Sequence, residues 1–485
     1  MQVNDTLVNN KLARYINLAV LALFVGLVLF YPFKKQIWYD ESVSILCSKG
    51  LYYTNGNALT ALSTNTSSSL AAQNTAAQAY NCTIIDNGNS FLYNELLHYY
   101  TNVFGNSIES YTWLSKLCAL GVLLSVFMLC SLLWGNSLFT SLVIILLGTD
   151  GVYWGMAHEI RAYEMGMMFI ILAASFCYSY LYKKSTPSSL LLTGLFCVAA
   201  VLSHYLSAYA VLVMLAYIIF TKKQALFKPA NILAMLVPVL LVGVYFVLAA
   251  KGFATMQHQN AALVAKKGEA NFQLSTVLLE AMKFTAYNFK FMMPAFLKST
   301  LTITAAFVCI GGLYIAAIRL AASKVERRNL HLLFLLGISG TLFLGALCIK
   351  SHHYTALYFR YFSFCLPFAT LFTVYALFVI KGNKAVHKLV VVAVGAIVTL
   401  PALLFFARNI NSRDALKFNH MQVAQKVTAS GAETLVVPDW TDAFLVQSFL
   451  PEGCQVKYVL DTSSKDFTLV RNGVAQKVPV IRINL

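Results

Sequence analysis

Apolar runs of bilayer-spanning length recur along nearly the whole chain, and they restrict it to one broad class of fold. A bilayer core takes roughly 20 apolar residues per helix. That rule marks spans near 15–33, 113–134, 137–156, 162–182, 188–203, 205–221, 230–250, 299–321, 329–349, 359–380 and 387–407. The 188–221 stretch is split because one helix of that length would far exceed the membrane thickness, and His204 with a few small polar residues supplies the break. Composition agrees. Only 11% of the residues are charged and 59% are hydrophobic, whereas a water-soluble domain carries roughly 25% charged residues. The expected fold is therefore an α-helical polytopic membrane protein with about eleven transmembrane helices.

The net charge of +17 does not signal nucleic acid. The basic residues form short clusters between apolar runs: Lys183 and Lys184; Lys222, Lys223 and Lys228; Lys324, Arg327 and Arg328; Lys381, Lys384 and Lys388. This is the positive-inside pattern of cytoplasmic loops, with Lys11 and Arg14 also inside. It predicts a cytoplasmic N-terminus and an extracytoplasmic C-terminus. The first apolar run is too long for the core of a cleavable signal peptide.

Three long segments then lie outside: 34–112, 251–298 and 408–485. The first contains a Ser-, Thr-, Asn- and Ala-rich stretch, 54–83, that reads as an insertion. The second has helical apolar spacing over 274–291, as expected for a helix lying in the membrane interface. The third reads as a small α/β domain. It has a polar helix near 413–428 and strand-like runs at 434–437, 455–460 and 478–483. Of the ten cysteines, Cys47 and Cys82 share the first polar segment. They could form a disulfide if it faces an oxidising compartment.

Polar residues at the outer helix ends carry the chemical information. Asp40 and Glu41 follow the first span; adjacent acids there suit a helix N-terminus or a substrate. Around the start of the fourth span stand His158, Glu159, Arg161 and Tyr163. An arginine at that depth needs an anionic partner, which is either a nearby carboxylate or a bound phosphate. The 350–361 stretch contributes Lys350, His353, Arg360 and Tyr361, and reads either as a snorkelling belt or as an anion site. His204 alone is more typical of a hydrogen-bonded packing residue, and metal binding by Glu95 and His98 rests only on their i,i+3 spacing. Carboxylates able to take a proton from a hydroxyl and cations able to stabilise a departing anion together suit group transfer from a phosphate-linked donor.

In this order and on this face, the motifs resemble the GT-C superfamily of glycosyltransferases. They are most similar to family 39, with its protein O-mannosyltransferases and lipid A aminoarabinose transferases. Asp40-Glu41 matches the position of the family's catalytic aspartate. Asp86 through Tyr93, then Leu96 through Tyr100 and Phe104 through Ser107, follow a second family pattern. Glu159-Ile160-Arg161-Ala162-Tyr163 looks like a third, and Arg360-Tyr361 before Pro367 a fourth. Ser90 and Phe91 stand where the family has two prolines, and Lys116 where it has an arginine.

The resemblance implies a GT-C-like catalytic domain over 1–407 and an extracytoplasmic α/β domain over 408–485. It implies an inverting transfer of one sugar from a polyprenyl-phosphate donor to an acceptor hydroxyl, with Asp40 as general base and Glu41 beside it. Arg161, Arg360, Lys350 and Tyr361 would bind the donor phosphate. Asp86, Glu159, Tyr163, His204 and His353 would contribute to the substrate site. Its partners would be the lipid donor, membrane lipid and an acceptor protein, glycolipid or lipid-linked glycan, in a bacterial inner (plasma) membrane. Some relatives use a divalent metal. The competing readings are a secondary transporter, for which no internal repeat is evident, and a lipid-linked oligosaccharide ligase or polymerase.

Overall fold

The computed structural model describes residues 11–31, 39–50, 64–66, 75–85, 89–105, 107–183, 185–267, 273–291, 299–351, 359–380, 420–438, 440–447, 449–451, 453–461, 463–464 and 466–478. The chain is a multi-pass helical membrane protein with a small C-terminal sheet. Eight described helices are long and apolar enough to cross a bilayer, or nine if a bent pair counts as one span. The eleventh expected span, 387–407, lies outside the described residues.

Helix α1 (Lys11–Phe30) is fixed to the bundle by a polar lock. Its buried Asn17 donates to the Ser137 carbonyl at 3.1 Å and accepts from Ser141 Oγ at 2.6 Å. Helix α2 (Tyr39–Ser48) follows outside the bundle, then strand β1 (Thr64–Thr66), α3 (Ala76–Ile85) and α4 (Phe91–Phe104). The long span α5 (Ile108–Trp134) starts at Ser107, whose side chain accepts from Ser110 N at 3.0 Å, so the helix opens on a capped first turn.

The third expected span, 137–156, is not one helix. It is α6 (Phe139–Gly148) and α7 (Gly151–Ala157), bent by 66°. The cause is Asp150, whose carboxylate caps the amides of Val152 and Tyr153 at 2.8 and 3.0 Å and so starts a new helix inside the apolar run.

Helix α8 (Tyr163–Tyr178) continues through a π turn to Lys183. After it come α9 (Pro187–Ser203) and α10 (Ala208–Leu226), separated at His204 and a 3₁₀ turn, as the sequence predicts. Helix α9 has 17 residues, about 25 Å at 1.5 Å per residue. Helix α11 (Pro229–Lys267) runs past the expected end near 250. No proline follows Pro238 within it, and the Ala-, Gln- and Lys-rich continuation favours helix. Helices α8 and α5 pack together, as do α8 and α9, and α9 and α11. At the last contact a side chain on Gly194 would lie 2.4 Å from Pro238 Cγ.

The remaining bundle is α12 (Leu274–Asn288), α13 (Thr300–Leu320), α14 (Lys324–Ser351), a 3₁₀ turn (Phe359–Cys365) and α15 (Leu366–Ile380). Helix α15 is apolar all round and almost wholly buried, which makes it the centre of the bundle.

The C-terminal unit contains α16 (His420–Ser430), β2 (Thr434–Val437), α17 (Trp440–Gln447), β3 (Lys457–Leu460), β4 (Phe467–Arg471) and β5 (Val474–Val478). The strand order is β1-β3-β2-β4-β5, with β2 parallel to β3 and the other pairs antiparallel. Two features depart from expectation. A β4–β5 hairpin occupies 467–478, while 479–483 of the predicted last strand lie outside the described residues, and β1 comes from the segment between α2 and α3. Val423, Val427, Leu435, Tyr458 and Phe467 form a core of their own. Leu445 of α17 instead buries itself with Ile45, Leu46, Tyr93 and Tyr111, so the unit is seated on α2.

Candidate active site

The first two residues of α2 to carry charge, Asp40 and Glu41, point to different partners because neighbours on a helix lie about 100° apart. Asp40 Oδ2 meets Arg360 Nη2 at 3.0 Å, and both side chains keep about a quarter of their surface in solvent (26% and 25%). Glu41 is fully buried, and its Oε1 accepts the Ile160 backbone N–H at 2.6 Å. Glu41 thereby ties the start of α2 to the 158–162 turn between α7 and α8.

That turn delivers Arg161. Its Nη1 donates to the Asp40 carbonyl at 2.8 Å and lies 3.2 Å from Ser44 Oγ, so Arg161 closes the same junction from the other side. Its guanidinium carbon sits 6.0 Å from the Tyr163 ring. Tyr163 stacks on His204 with centroids 4.7 Å apart. His204 is buried at the α9–α10 break, where its Nδ1 accepts from Leu206 N at 3.2 Å. Burial first, and then the charges of Arg161 and Arg360, push its imidazole down to about 3, so it is neutral. Arg360 also lies 5.3 Å from the Tyr361 ring, and the Tyr361 carbonyl accepts from Tyr209 Oη at 2.9 Å. One carboxylate, two guanidinium groups, two tyrosines and a neutral histidine thus come from α2, the 158–163 turn, the α9–α10 break and the 359–365 turn.

The other expected residues fall differently. Glu159 is half-buried in the same turn, and its Oε2 makes no hydrogen bond among the described residues. Lys350 ends α14 with an exposed side chain. Asp86 and His353 lie outside the described residues. His98 is a packing histidine, bonded to the Ser48 carbonyl at 2.8 Å and to Asn102 at 3.2 Å. Among the described residues no group of three His, Cys, Asp or Glu side chains is placed to hold a metal ion. Among the described residues Asp40 is engaged by Arg360 and Glu41 by a backbone amide.

Three neighbouring residues escaped the sequence reading. Ser44, one helical turn after Asp40, accepts from Arg161 Nη1 through its hydroxyl oxygen. Asp150, at the helix break, forms a buried ion pair with Lys290 just past α12. Glu164, fully buried at the start of α8, makes no hydrogen bond through either oxygen among the described residues. An acid inside the 137–156 run and another inside the 162–182 run were the available signals, since charges are rare at such depth.

No family model matches the sequence, and no curated protein matches it. Solved structures do. The oligosaccharyltransferase of Archaeoglobus fulgidus, crystallised with Zn and sulfate, shares 11% identity at a TM-score of 0.43, covering 90% of this chain and 57% of the other. The same archaeon's oligosaccharyltransferase AglB, in complex with an inhibitory peptide and a dolichol-phosphate, gives 11% and 0.43, covering 92% and 61%. ArnT from Cupriavidus metallidurans, bound to undecaprenyl phosphate, gives 12% and 0.43, covering 90% and 74%. The chain therefore spans about three fifths of the length of the oligosaccharyltransferases it matches.

Proposed function

We propose that the chain is an inverting glycosyltransferase that moves one sugar from a polyprenyl-phosphate donor to an acceptor hydroxyl at the extracytoplasmic membrane surface. The observation that carries this reading is the half-open Asp40–Arg360 pair with Arg161 locked against the Asp40 backbone. An ion pair that keeps a quarter of its surface in water exchanges partners at little cost. A donor phosphate that takes over the Arg360 guanidinium leaves the Asp40 carboxylate to the acceptor.

In the proposed reaction Asp40 accepts the proton of the acceptor hydroxyl. The oxygen attacks the anomeric carbon from the face opposite the phosphate, the carbon–oxygen bond to phosphate breaks, and the polyprenyl phosphate leaves as an anion. Arg360 and Arg161 stabilise that charge, since guanidinium matches phosphate in planar, two-pronged hydrogen bonds. Tyr163, His204 and Tyr361 line the approach. Neutral His204 accepts and donates hydrogen bonds without adding charge. Glu41 is assigned to positioning, because its carboxylate is spent on Ile160 N. Lys350 is a phosphate ligand at the rim, and Asp86, His353 and Glu159 belong to the substrate site. Residues 1–407 form the catalytic domain, and 408–485 the outer domain, with the N-terminus cytoplasmic. The membrane is a bacterial plasma membrane.

The test is transfer in membranes supplied with radiolabelled polyprenyl-phosphate sugars. Asp40→Asn abolishes transfer while the protein remains inserted and folded. Arg360→Ala and Arg161→Ala weaken donor binding. Full transfer by Asp40→Asn removes Asp40 as the base, and with it this reading.

A further inference from the structure

Outside the charged cluster, α2 makes a second contact, between two cysteines. Cys47 lies near its C-terminal end and Cys82 lies on α3. Both have no solvent exposure, and their Sγ atoms are 3.5 Å apart. Among the described residues the surrounding satellite core holds one further buried hydrophobic residue, Val43. The two backbones are brought together by a separate device. Gly50 has φ +67°, and a Cβ there would lie 2.7 Å from Gln78 Cβ and 2.9 Å from the Gln78 carbonyl carbon. Only glycine suits that conformation and that approach.

The α2–α3 contact is thus built for closeness, yet among the described residues its own apolar cluster is small. A ten-residue helix such as α3 is marginal without tertiary support, and the segment joining the cysteines is rich in Ser, Thr and Asn. Small units with too little core are commonly held by disulfides in oxidising compartments. A sulfur–sulfur bond measures about 2.05 Å, so closure from 3.5 Å needs a side-chain adjustment of roughly 1.5 Å.

We propose that Cys47 and Cys82 form a disulfide that staples α3 to α2 and so fixes the helix that carries Asp40 and Glu41. The bond forms by exchange with a disulfide-bearing oxidant. One thiolate attacks a sulfur of the oxidant to give a mixed disulfide, and the second thiolate displaces it. Two S–H bonds are lost, one S–S bond is gained, and the oxidant leaves as a dithiol carrying two electrons and two protons. The inference rests on the outward placement of residues 34–112 in the proposed function.

The experiment quenches intact cells in denaturant with N-ethylmaleimide, then digests the protein without reduction for mass spectrometry. The expected result is a single cross-linked species joining the Cys47 and Cys82 peptides, two hydrogens lighter than the dithiol and absent after reduction. Maleimide on both cysteines overturns the proposal. A second arm keeps the two premises apart. Ala77 is exposed on α3, and Ala77→Cys in a Cys47→Ser/Cys82→Ser background is offered a membrane-impermeant maleimide on intact cells. Alkylated Cys47 and Cys82 with outside labelling defeats the disulfide alone. Alkylated cysteines with labelling only after the membrane is opened defeats the orientation as well. A third readout is thermal. Dithiothreitol lowers the unfolding temperature of the wild-type protein by several degrees and leaves the double-serine variant unmoved. An equal response in both overturns the staple.

Discussion

Substituting each member of the Asp40–Glu41 pair separates chemistry from scaffolding, because the structure gives the two acids opposite tasks. Glu41 is fully buried and holds Ile160 N at 2.6 Å. Glu41→Ala leaves that amide without its acceptor in a site closed to water, at a cost of about 1–3 kcal/mol for a neutral group and toward the upper end where the lost acceptor is charged. Glu41→Gln keeps an oxygen in place and costs about 1 kcal/mol. Asp40→Asn disturbs a pair already a quarter exposed on each side, and exposed pairs are worth about 0–1 kcal/mol. Activity follows the reverse order. Loss of a general base removes about 10²–10⁴-fold in rate. Loss of Glu41 acts through the position of Arg161, where a misplacement of about 1 Å is worth up to about 10²-fold. The assay pairs thermal unfolding in detergent with transfer in membranes. Asp40→Asn should be stable and inactive, Glu41→Gln near wild type, and Glu41→Ala unstable with partial transfer. A Glu41→Ala protein as stable as wild type and as inactive as Asp40→Asn would refute the division of labour.

Further outcomes are expected elsewhere. Lys290→Met strands the buried Asp150 carboxylate and should cost about 3–5 kcal/mol, while Lys290→Met with Asp150→Asn, which retains a capping oxygen, should recover most of it in the same unfolding assay. Burial pushes the Glu95 carboxyl up to about 7. The folded state therefore holds the proton more tightly than the unfolded one, and stability falls as pH rises from about 4.5 to about 7. Glu95→Gln should flatten that slope, by an amount on the order of 1 kcal/mol once its partial exposure is allowed for; an unchanged slope would assign it to another group. Gly50→Ala should lower the unfolding temperature by several degrees, since the new methyl meets the Gln78 backbone and the residue keeps a positive φ.

The bundle was largely legible because bilayer length acts on every span alike. Length required a break in the 188–221 run and His204 with its small polar neighbours gave its place, and α9 and α10 meet there. The bend between α6 and α7 was not legible as a bend, because one aspartate in an apolar run does not announce which amides it will cap. At the site, the residue types were readable but not their division of labour. Asp40 and Glu41 are neighbours in sequence, and only the helix direction assigns one to Arg360 and the other to Ile160. The pairing of β1 was invisible. Thr64-Asn65-Thr66 sits in a biased segment without alternating pattern, and its strand conformation comes wholly from β3.

That borrowed strand sets an order of assembly. About 390 residues separate Thr66 from its partner Lys457, so at roughly 5–20 residues per second the segment waits about 20–80 s for a template. The last unit must be synthesised, after the bundle helices that precede it, before the sheet gains its fifth member. Completion of that edge is thus a late checkpoint in biogenesis, one that a chain truncated before β3 never passes.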